Sequence, residues 1–212
     1  MLLYIIVIVV SFIVISLLNI FLSPLIAPTV YPWWGCILAT LAFIALAFIM
    51  DALVAFIVRK CMPEKWFKKE NFKISRNEEV FYARIKINSW KKFIPELGAS
   101  TTDFSKAKLD NPYDNTYISR YILEVCYGIV VHVASVPASF LILLADWHIY
   151  SGDFTLFLGI GLPVAIINAI LIYLPAMILR SNLPRLVRIY EGNEKAMERA
   201  RRKALEKEAN KE

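Results

Sequence analysis

The chain has 212 residues, a formal net charge of +6 and a mean hydropathy of +0.54, and 58% of its residues are hydrophobic. This hydropathy is too high for an ordinary soluble domain, so the composition indicates a membrane protein. No DNA- or RNA-binding motif accompanies the positive charge. A nucleic-acid partner is therefore not expected, and the charge suits an anionic membrane surface or a phosphorylated substrate.

Four segments are long enough to cross a bilayer, whose hydrocarbon core takes about 20 apolar residues of helix. They are predicted at residues 2–22, 33–58, 117–145 and 154–179. The first is expected to be retained, because its apolar run is too long for a signal peptide and no basic region precedes it.

The basic residues predict the orientation of these spans. All 24 Lys and Arg lie in two stretches, 14 within residues 59–120 and 10 within residues 180–211. By the positive-inside rule, both stretches and both termini are cytoplasmic. The predicted fold is an all-α, multi-pass integral membrane protein with four transmembrane helices, placed in a bacterial cell membrane.

Two segments outside the spans also have helical patterns. The cytoplasmic loop 59–116 alternates aromatic and basic side chains, which is typical of a segment at the level of the lipid headgroups. Within it, residues 78–93 have the spacing of an amphipathic helix, and Asn115 or Thr116 is predicted to cap the third span. Residues 184–212 begin with a proline that suits a first helical turn and continue as a separate charged helix.

Ionisable residues inside a membrane are costly, so they mark either a functional site or a paired structural contact. The third span carries Glu124 and His132, the second carries Asp51, and the fourth carries the polar Asn168. The structural alternative is that Glu124 pairs with Arg120 one turn away, and that His132 is a neutral histidine hydrogen-bonded to Asn168 or Asp51. Eight residues of helix place Glu124 about 12 Å from His132, so Asp51 is the better-placed partner.

The remaining candidate ligands do not predict a metal site. The three cysteines lack metal-ligand spacing and a disulfide pattern (Cys36, Cys61, Cys126). Asp146, His148 and Asp153 could bind a metal together, but a short polar external loop is the simpler interpretation.

Four segments carry a resemblance to a known family, in the family's order and at about its spacing: "SWKKFIPELG" (89–98), "FSKAKL" (104–109), "LEVCYGIVVH" (123–132) and "SNLPRLVRIY" (181–190). On these segments the chain resembles the glycosyl-4,4′-diaponeurosporenoate acyltransferase family, over roughly residues 72–195. The resemblance implies transfer of a fatty acyl chain to a hydroxyl of a lipid or glycolipid at the inner-leaflet interface. The donor would be an acyl-CoA or a phospholipid, and no cofactor is expected.

The candidate catalytic residues suit such a reaction. A hydroxyl is a weak nucleophile and needs a general base, for which the imidazole of His132 is the best-suited side chain. Glu124 or Asp51 would orient its ring or stabilise the imidazolium, with Asn168 in support. The acyl chains are expected to lie between the third and fourth spans.

Four further residues are predicted to bind substrate at the cytoplasmic interface: Trp90, Lys91, Asn182 and Arg185. The two cations could hold donor phosphates or stabilise the developing oxyanion. Their ordinary interpretation is as interfacial anchors.

A non-catalytic membrane subunit or lipid-binding scaffold is the alternative function. It predicts mutually satisfied polar groups in the spans and no cavity open to the interface. A transporter or channel is disfavoured because the four spans show no inverted repeat.

Overall fold

The computed structural model describes residues 2–26, 30–94, 109–146 and 152–209. These residues form helices and connecting turns, with no β-strand among them. The α-helices are α1 (Leu2–Ile26), α2 (Trp33–Cys61), α3 (Arg76–Arg84), α4 (Ile87–Trp90), α5 (Asn115–Ala138) and α6 (Leu162–Ala209). Among the described residues, four helices are long and apolar enough to cross a membrane, which confirms the predicted all-α class and the four predicted span candidates.

The two most extensively packed helices, α5 and α6, run antiparallel. Near the start of α5, Asn115 donates a hydrogen bond to the carbonyl of Tyr190 (3.4 Å). Beyond the end of α5, the Ser139 hydroxyl accepts one from Asn168 (3.0 Å). The end of the bundle that holds the start of α5 also holds the end of α2 and the segment of residues 62–94, and it is called the basic end below.

Helix α1 is attached to α6 at a carbonyl group that a proline leaves free. Pro175 has no N–H, so the carbonyl of Leu171 lacks its usual helical donor. The Tyr4 hydroxyl donates to that carbonyl at 2.8 Å. Satisfying freed backbone groups from a neighbouring helix is what allows proline inside a membrane span.

A second proline is compensated in the same way at the other end of α1. Pro163 leaves the carbonyl of Gly159 without its α-helical donor, within a π-helical turn over Phe157–Gly161 that precedes α6. The Asn19 side chain donates to the Gly159 carbonyl (2.7 Å) and to that of Ile15 in its own helix (2.8 Å). An uncharged helix is thus tied to α6 by directed hydrogen bonds.

Substitution of Gly159 by alanine is expected to destabilise the bundle by about 1 to 3 kcal/mol, since the added methyl group would overlap the Asn19 side-chain oxygen. Thermal unfolding in detergent measures the effect. Gly192→Ala is the matched control, because that site in α6 is open and alanine favours a helix. Equal melting temperatures for the two variants would contradict the close approach of α1.

Helix α6 corrects the prediction of a separate C-terminal helix. It continues through Pro184 as one element of 48 residues, which corresponds to about 72 Å. Because a bilayer core is only about 30 Å thick, much of α6 extends beyond it.

Two smaller predictions about local structure are also wrong. The predicted helix 78–93 is interrupted at Lys86, whose φ of 50° is left-handed, and the break turns Ile87 toward Met177 of α6. The cap of α5 is Asp114, which accepts from the backbone N–H of Thr116 at 2.9 Å. Residues 95–108, which hold parts of two quoted motifs, lie outside the described residues.

Candidate active site

A cavity of about 210 Å³ lies between α1, α2, α5 and α6. Most of its lining is aliphatic, and its polar lining residues are Tyr4, Ser11, Asp51, His132, Ser135 and Asn168. It is smaller than the roughly 300–1,000 Å³ of pockets for compact small molecules, so it suits a slender chain better than a sugar or nucleotide. The cavity is thus bounded by all four spans, whereas the sequence predicts acyl chains between the third and fourth spans only.

Asp51 is the centre of a hydrogen-bond network at this cavity. Asn168 donates to Asp51 Oδ2 (3.3 Å) and to the Ser139 hydroxyl, which itself donates to the Ser135 carbonyl (2.8 Å). The Ser135 side chain also hydrogen-bonds to the Asp51 carboxyl group. The other oxygen of Asp51, Oδ1, is buried and accepts no hydrogen bond from any described residue. It is thus available to a ligand or to a protonated imidazole.

His132 lines the same cavity as Asp51 and Asn168. It precedes Ser135 by three residues, or about 4.5 Å of helix, and so lies on the basic-end side of the network. Three of the four residues predicted inside the spans are therefore brought to one cavity.

Glu124 lies apart from this cavity, nearer the basic end. Its Oε2 is 3.0 Å from Nη2 of Arg59 in α2, and the Arg59 guanidinium lies 5.6 Å from the centre of the Tyr127 ring. The sequence suggests Arg120, one turn away, as a partner of Glu124. The structure shows an ion pair with Arg59, which lies 65 positions away in the chain. Such a pair ties α2 to α5 on the side of the cavity that faces the basic end.

Two of the predicted substrate-binding residues meet at the basic end. Lys91 Nζ donates to Asn182 Oδ1 (3.2 Å). Trp90 packs beside the cluster of Ile87 and Met177 and donates to the carbonyl of Ile85 (3.0 Å), so its contacts are structural. Arg185 is exposed on α6.

An ion pair that the sequence analysis missed fixes α3 against α6. Arg180 donates to both carboxylate oxygens of Glu78, one of them at 3.0 Å, and the Tyr82 hydroxyl donates to Glu78 at 2.7 Å. Burial opposes ionisation of Glu78, but these hydrogen bonds outweigh it and hold its pKa below the ordinary value. Burial of the Tyr82 side chain raises the pKa of its hydroxyl, and the hydrogen bond to the negatively charged Glu78 raises it further.

Substitution of Glu78 by glutamine is expected to lower stability by about 1 to 3 kcal/mol at neutral pH, because a charged hydrogen-bond partner is lost. A lowered folded-state pKa means that Glu78 stabilises the fold above its unfolded pKa of about 4.3 and loses that contribution on further acidification. Melting temperatures of wild type and variant in detergent should therefore converge as the pH falls below that value. A constant difference at every pH would contradict the pairing, and Glu79→Gln serves as the exposed control.

A second cavity, of about 460 Å³, lies at the basic end between residues 70–79 and α6. Its floor is apolar, and its charged lining residues are Glu70, Lys73, Glu79, Arg188 and Glu191. Its size and polarity suit a headgroup rather than a hydrocarbon chain. The sequence showed these residues only as part of a generally charged segment.

Of the three possible metal ligands suggested by the sequence, Asp146 and Asp153 lie at the end of the bundle opposite the basic end, and Asp153 has hydrogen-bond partners within the protein. The Tyr31 hydroxyl donates to Asp153 Oδ2 (3.3 Å), and Asp153 Oδ1 accepts from the Thr155 N–H (2.9 Å). Asp146 is buried, and His148 lies outside the described residues.

The comparisons with known proteins agree with the resemblance seen in the sequence. A family model described as glycosyl-4,4′-diaponeurosporenoate acyltransferase matches residues 63–192, which is more than half of the chain. No curated protein and no solved structure matches it. Asp51 lies outside the matched region, which contains the other predicted site residues: His132, Glu124, Asn168, Trp90, Lys91, Asn182 and Arg185. The chain therefore belongs to the glycosyl-4,4′-diaponeurosporenoate acyltransferase family and is a membrane acyltransferase.

Proposed function

We propose that this acyltransferase moves a fatty acyl chain onto a hydroxyl of a membrane lipid or glycolipid, with His132 as general base and Asp51 as its charged partner. The observation that carries the proposal is the cavity between the four spans. It combines these two residues with an aliphatic lining, and one buried oxygen of Asp51 there has no donor among the described residues.

The reaction uses these groups in a defined order. The hydroxyl oxygen of the acceptor attacks the acyl carbonyl of the donor, and His132 takes the proton of that hydroxyl. Asp51 Oδ1 stabilises the resulting imidazolium, the supporting role that the third group has in a catalytic triad. The tetrahedral intermediate then collapses, the donor's thiolate or alkoxide leaves with the proton from His132, and the new ester bond remains on the acceptor.

Asn168 and Ser135 act on Asp51 rather than on the substrate. Their hydrogen bonds hold the carboxylate in one orientation, and Oδ1 accepts none from the described residues. In this proposal they are positioning residues. Glu124 supports the site indirectly, because its ion pair with Arg59 fixes α2, which carries Asp51, against α5, which carries His132.

The donor headgroup would bind at the basic end. The Ser139–Asn168 hydrogen bond shows which residues of α5 and α6 lie at the same level. Counted from that level at the helical rise per residue, Asn182 lies about 10 Å nearer the basic end than His132. A headgroup held by Lys91 beside Asn182 could therefore extend its acyl ester to His132. Trp90 orders the segment that carries Lys91, and the exposed Arg185 offers a second cation for an acyl-CoA or phospholipid phosphate.

The charge distribution supports an orientation for this scheme. By the positive-inside rule, the basic end and both termini would lie in the cytoplasm, and transfer would occur at the inner leaflet of a bacterial cell membrane. The scheme needs no metal or other cofactor. The scaffold alternative is less well supported, because a purely structural polar cluster would satisfy Asp51 Oδ1 within the protein.

Comparative lipid mass spectrometry tests the proposal. Membranes of cells that express the protein should contain a lipid or glycolipid heavier by one fatty acyl residue, and cells with the empty vector should lack it. The mass and fragmentation of that species identify the acceptor. Identical lipid profiles in hosts that supply phospholipids, acyl-CoA and glycolipids would contradict the proposed activity.

A further inference from the structure

The cavity between the spans has a far end, on the side away from the basic end. Asp51 and Asn168 form a polar pair across it, and beyond this pair the wall includes four aliphatic side chains, Ile15, Ile44, Ala47 and Val164. Ile44 lies seven residues before Asp51 in α2, which places it about 10 Å farther from the basic end. The far end is therefore a narrow apolar extension of the proposed reaction centre.

The wall of this far end is rigidly packed. Ile15, Ala47 and Val164 are only 4–5% exposed and belong to one core cluster with Phe43 and Ile160. Gly161 beside this cluster has so little space that a methyl group there would come within 3.0–3.1 Å of Leu143 and Phe43. A chain that enters from the basic end would thus meet a fixed floor, because close-packed interiors do not yield easily.

The only part of the reaction's substrates that suits this space is the hydrocarbon chain. The headgroup is held back by the small volume of the cavity and by its aliphatic walls. Once the acyl carbonyl is at His132 and Asp51, the headgroup extends toward the basic end and the hydrocarbon must extend the other way. The distance from Asp51 to the floor then limits how long a chain can be placed for reaction.

We propose that this far end measures the length of the transferred acyl chain, with Ala47 and Ile44 setting its depth. The inference rests on the proposed function and extends it to chain-length selection. Ala47 lies one helical turn from Asp51, so a larger side chain there narrows the path directly beyond the reacting carbon. Ile44 lies one turn farther, so its truncation deepens the path.

The test compares the acyl chains on the product lipid by mass spectrometry, in cells or membranes supplied with a mixture of saturated acyl donors. Ala47→Leu is expected to shift the transferred chains shorter by about two or three carbons, since leucine adds three carbon atoms to a close-packed wall. Ile44→Ala is expected to shift them longer. Ala45→Leu is the matched control, because Ala45 is exposed on the outer side of α2 and does not line the cavity, and it should leave the profile unchanged.

The outcomes separate this inference from the proposed function. Opposite shifts in the two cavity variants support the length gauge. Profiles identical to wild type in both variants overturn it while transfer itself stands, and absence of an acylated product from wild type overturns both proposals. If Ala47→Leu does not accumulate in the membrane, the direction of the shift in Ile44→Ala decides the question alone.

Discussion

Replacing His132 with alanine is expected to lower the rate of acyl transfer by about 10²- to 10⁴-fold, the usual contribution of a positioned general base. The acceptor hydroxyl would then lose the imidazole that takes its proton, and the Asp51 carboxylate that remains in the cavity is a weaker base. The rate can be measured in isolated membranes with an isotopically labelled acyl donor, normalised to the amount of protein in the membrane.

The neighbouring residue supplies the control for this prediction. Val133 adjoins His132 on α5 but is exposed on the outside of the bundle, so Val133→Ala should retain nearly full activity. His132→Gln retains much of the side-chain volume without the same basicity and should be as inactive as the alanine variant. Wild-type rates in both His132 variants, at equal protein levels, would exclude His132 as the base.

Replacing Asp51 with asparagine is expected to lower the transfer rate by about 10²- to 10⁴-fold while the protein still accumulates, by analogy with the charged partner of a catalytic histidine. The carboxamide oxygen can still accept the hydrogen bond from Asn168, so the contact between α2 and α6 should survive. The negative charge that stabilises the imidazolium is lost.

The same substitution at Asp153 is the matched control for Asp51. Asp153 bonds to Tyr31 in the loop region before α6, at a distance in sequence and structure from the cavity network, and Asp153→Asn should retain activity. A fully active Asp51→Asn variant would show that the Asp51 carboxylate is only structural. A variant that fails to accumulate would show that its charge is needed for folding.

The sequence predicts the four spans well because hydropathy depends on composition alone. The grouping of Asp51, His132 and Asn168 was also accessible, since polar residues in apolar spans avoid lipid by facing the bundle interior. What could not be predicted are contacts that depend on helix register. The pairing of Glu124 with Arg59 and the placement of Glu78 against Arg180 join residues far apart in the chain.

The prolines explain other differences between prediction and structure. The sequence predicts a helix start at Pro184, yet α6 continues through it, because proline removes only one hydrogen bond and packing on α5 holds the helix on both sides. The roles of Tyr4 and Asn19 were hidden for a related reason. Each is directed at a carbonyl that a proline on another helix leaves free, and no local pattern in α1 reveals that partner.

Asp51 lies in a part of the chain that the family match does not cover. The matched region begins at residue 63, so α1 and α2 both lie outside it, although both form walls of the cavity. The proposed base lies inside the matched region and its proposed partner lies outside it. In the proposed scheme, chain-length selection would therefore depend on residues of α2 outside the matched region.

The central claim is that His132 and Asp51 act as one catalytic unit, and a double-mutant comparison tests it most directly. Transfer rates would be measured for His132→Ala, Asp51→Asn and the variant carrying both changes. Residues that act as a unit give non-additive losses, so we expect the double variant to be about as slow as the slower single variant. Losses that multiply would show that the two residues act independently and would contradict the proposed mechanism.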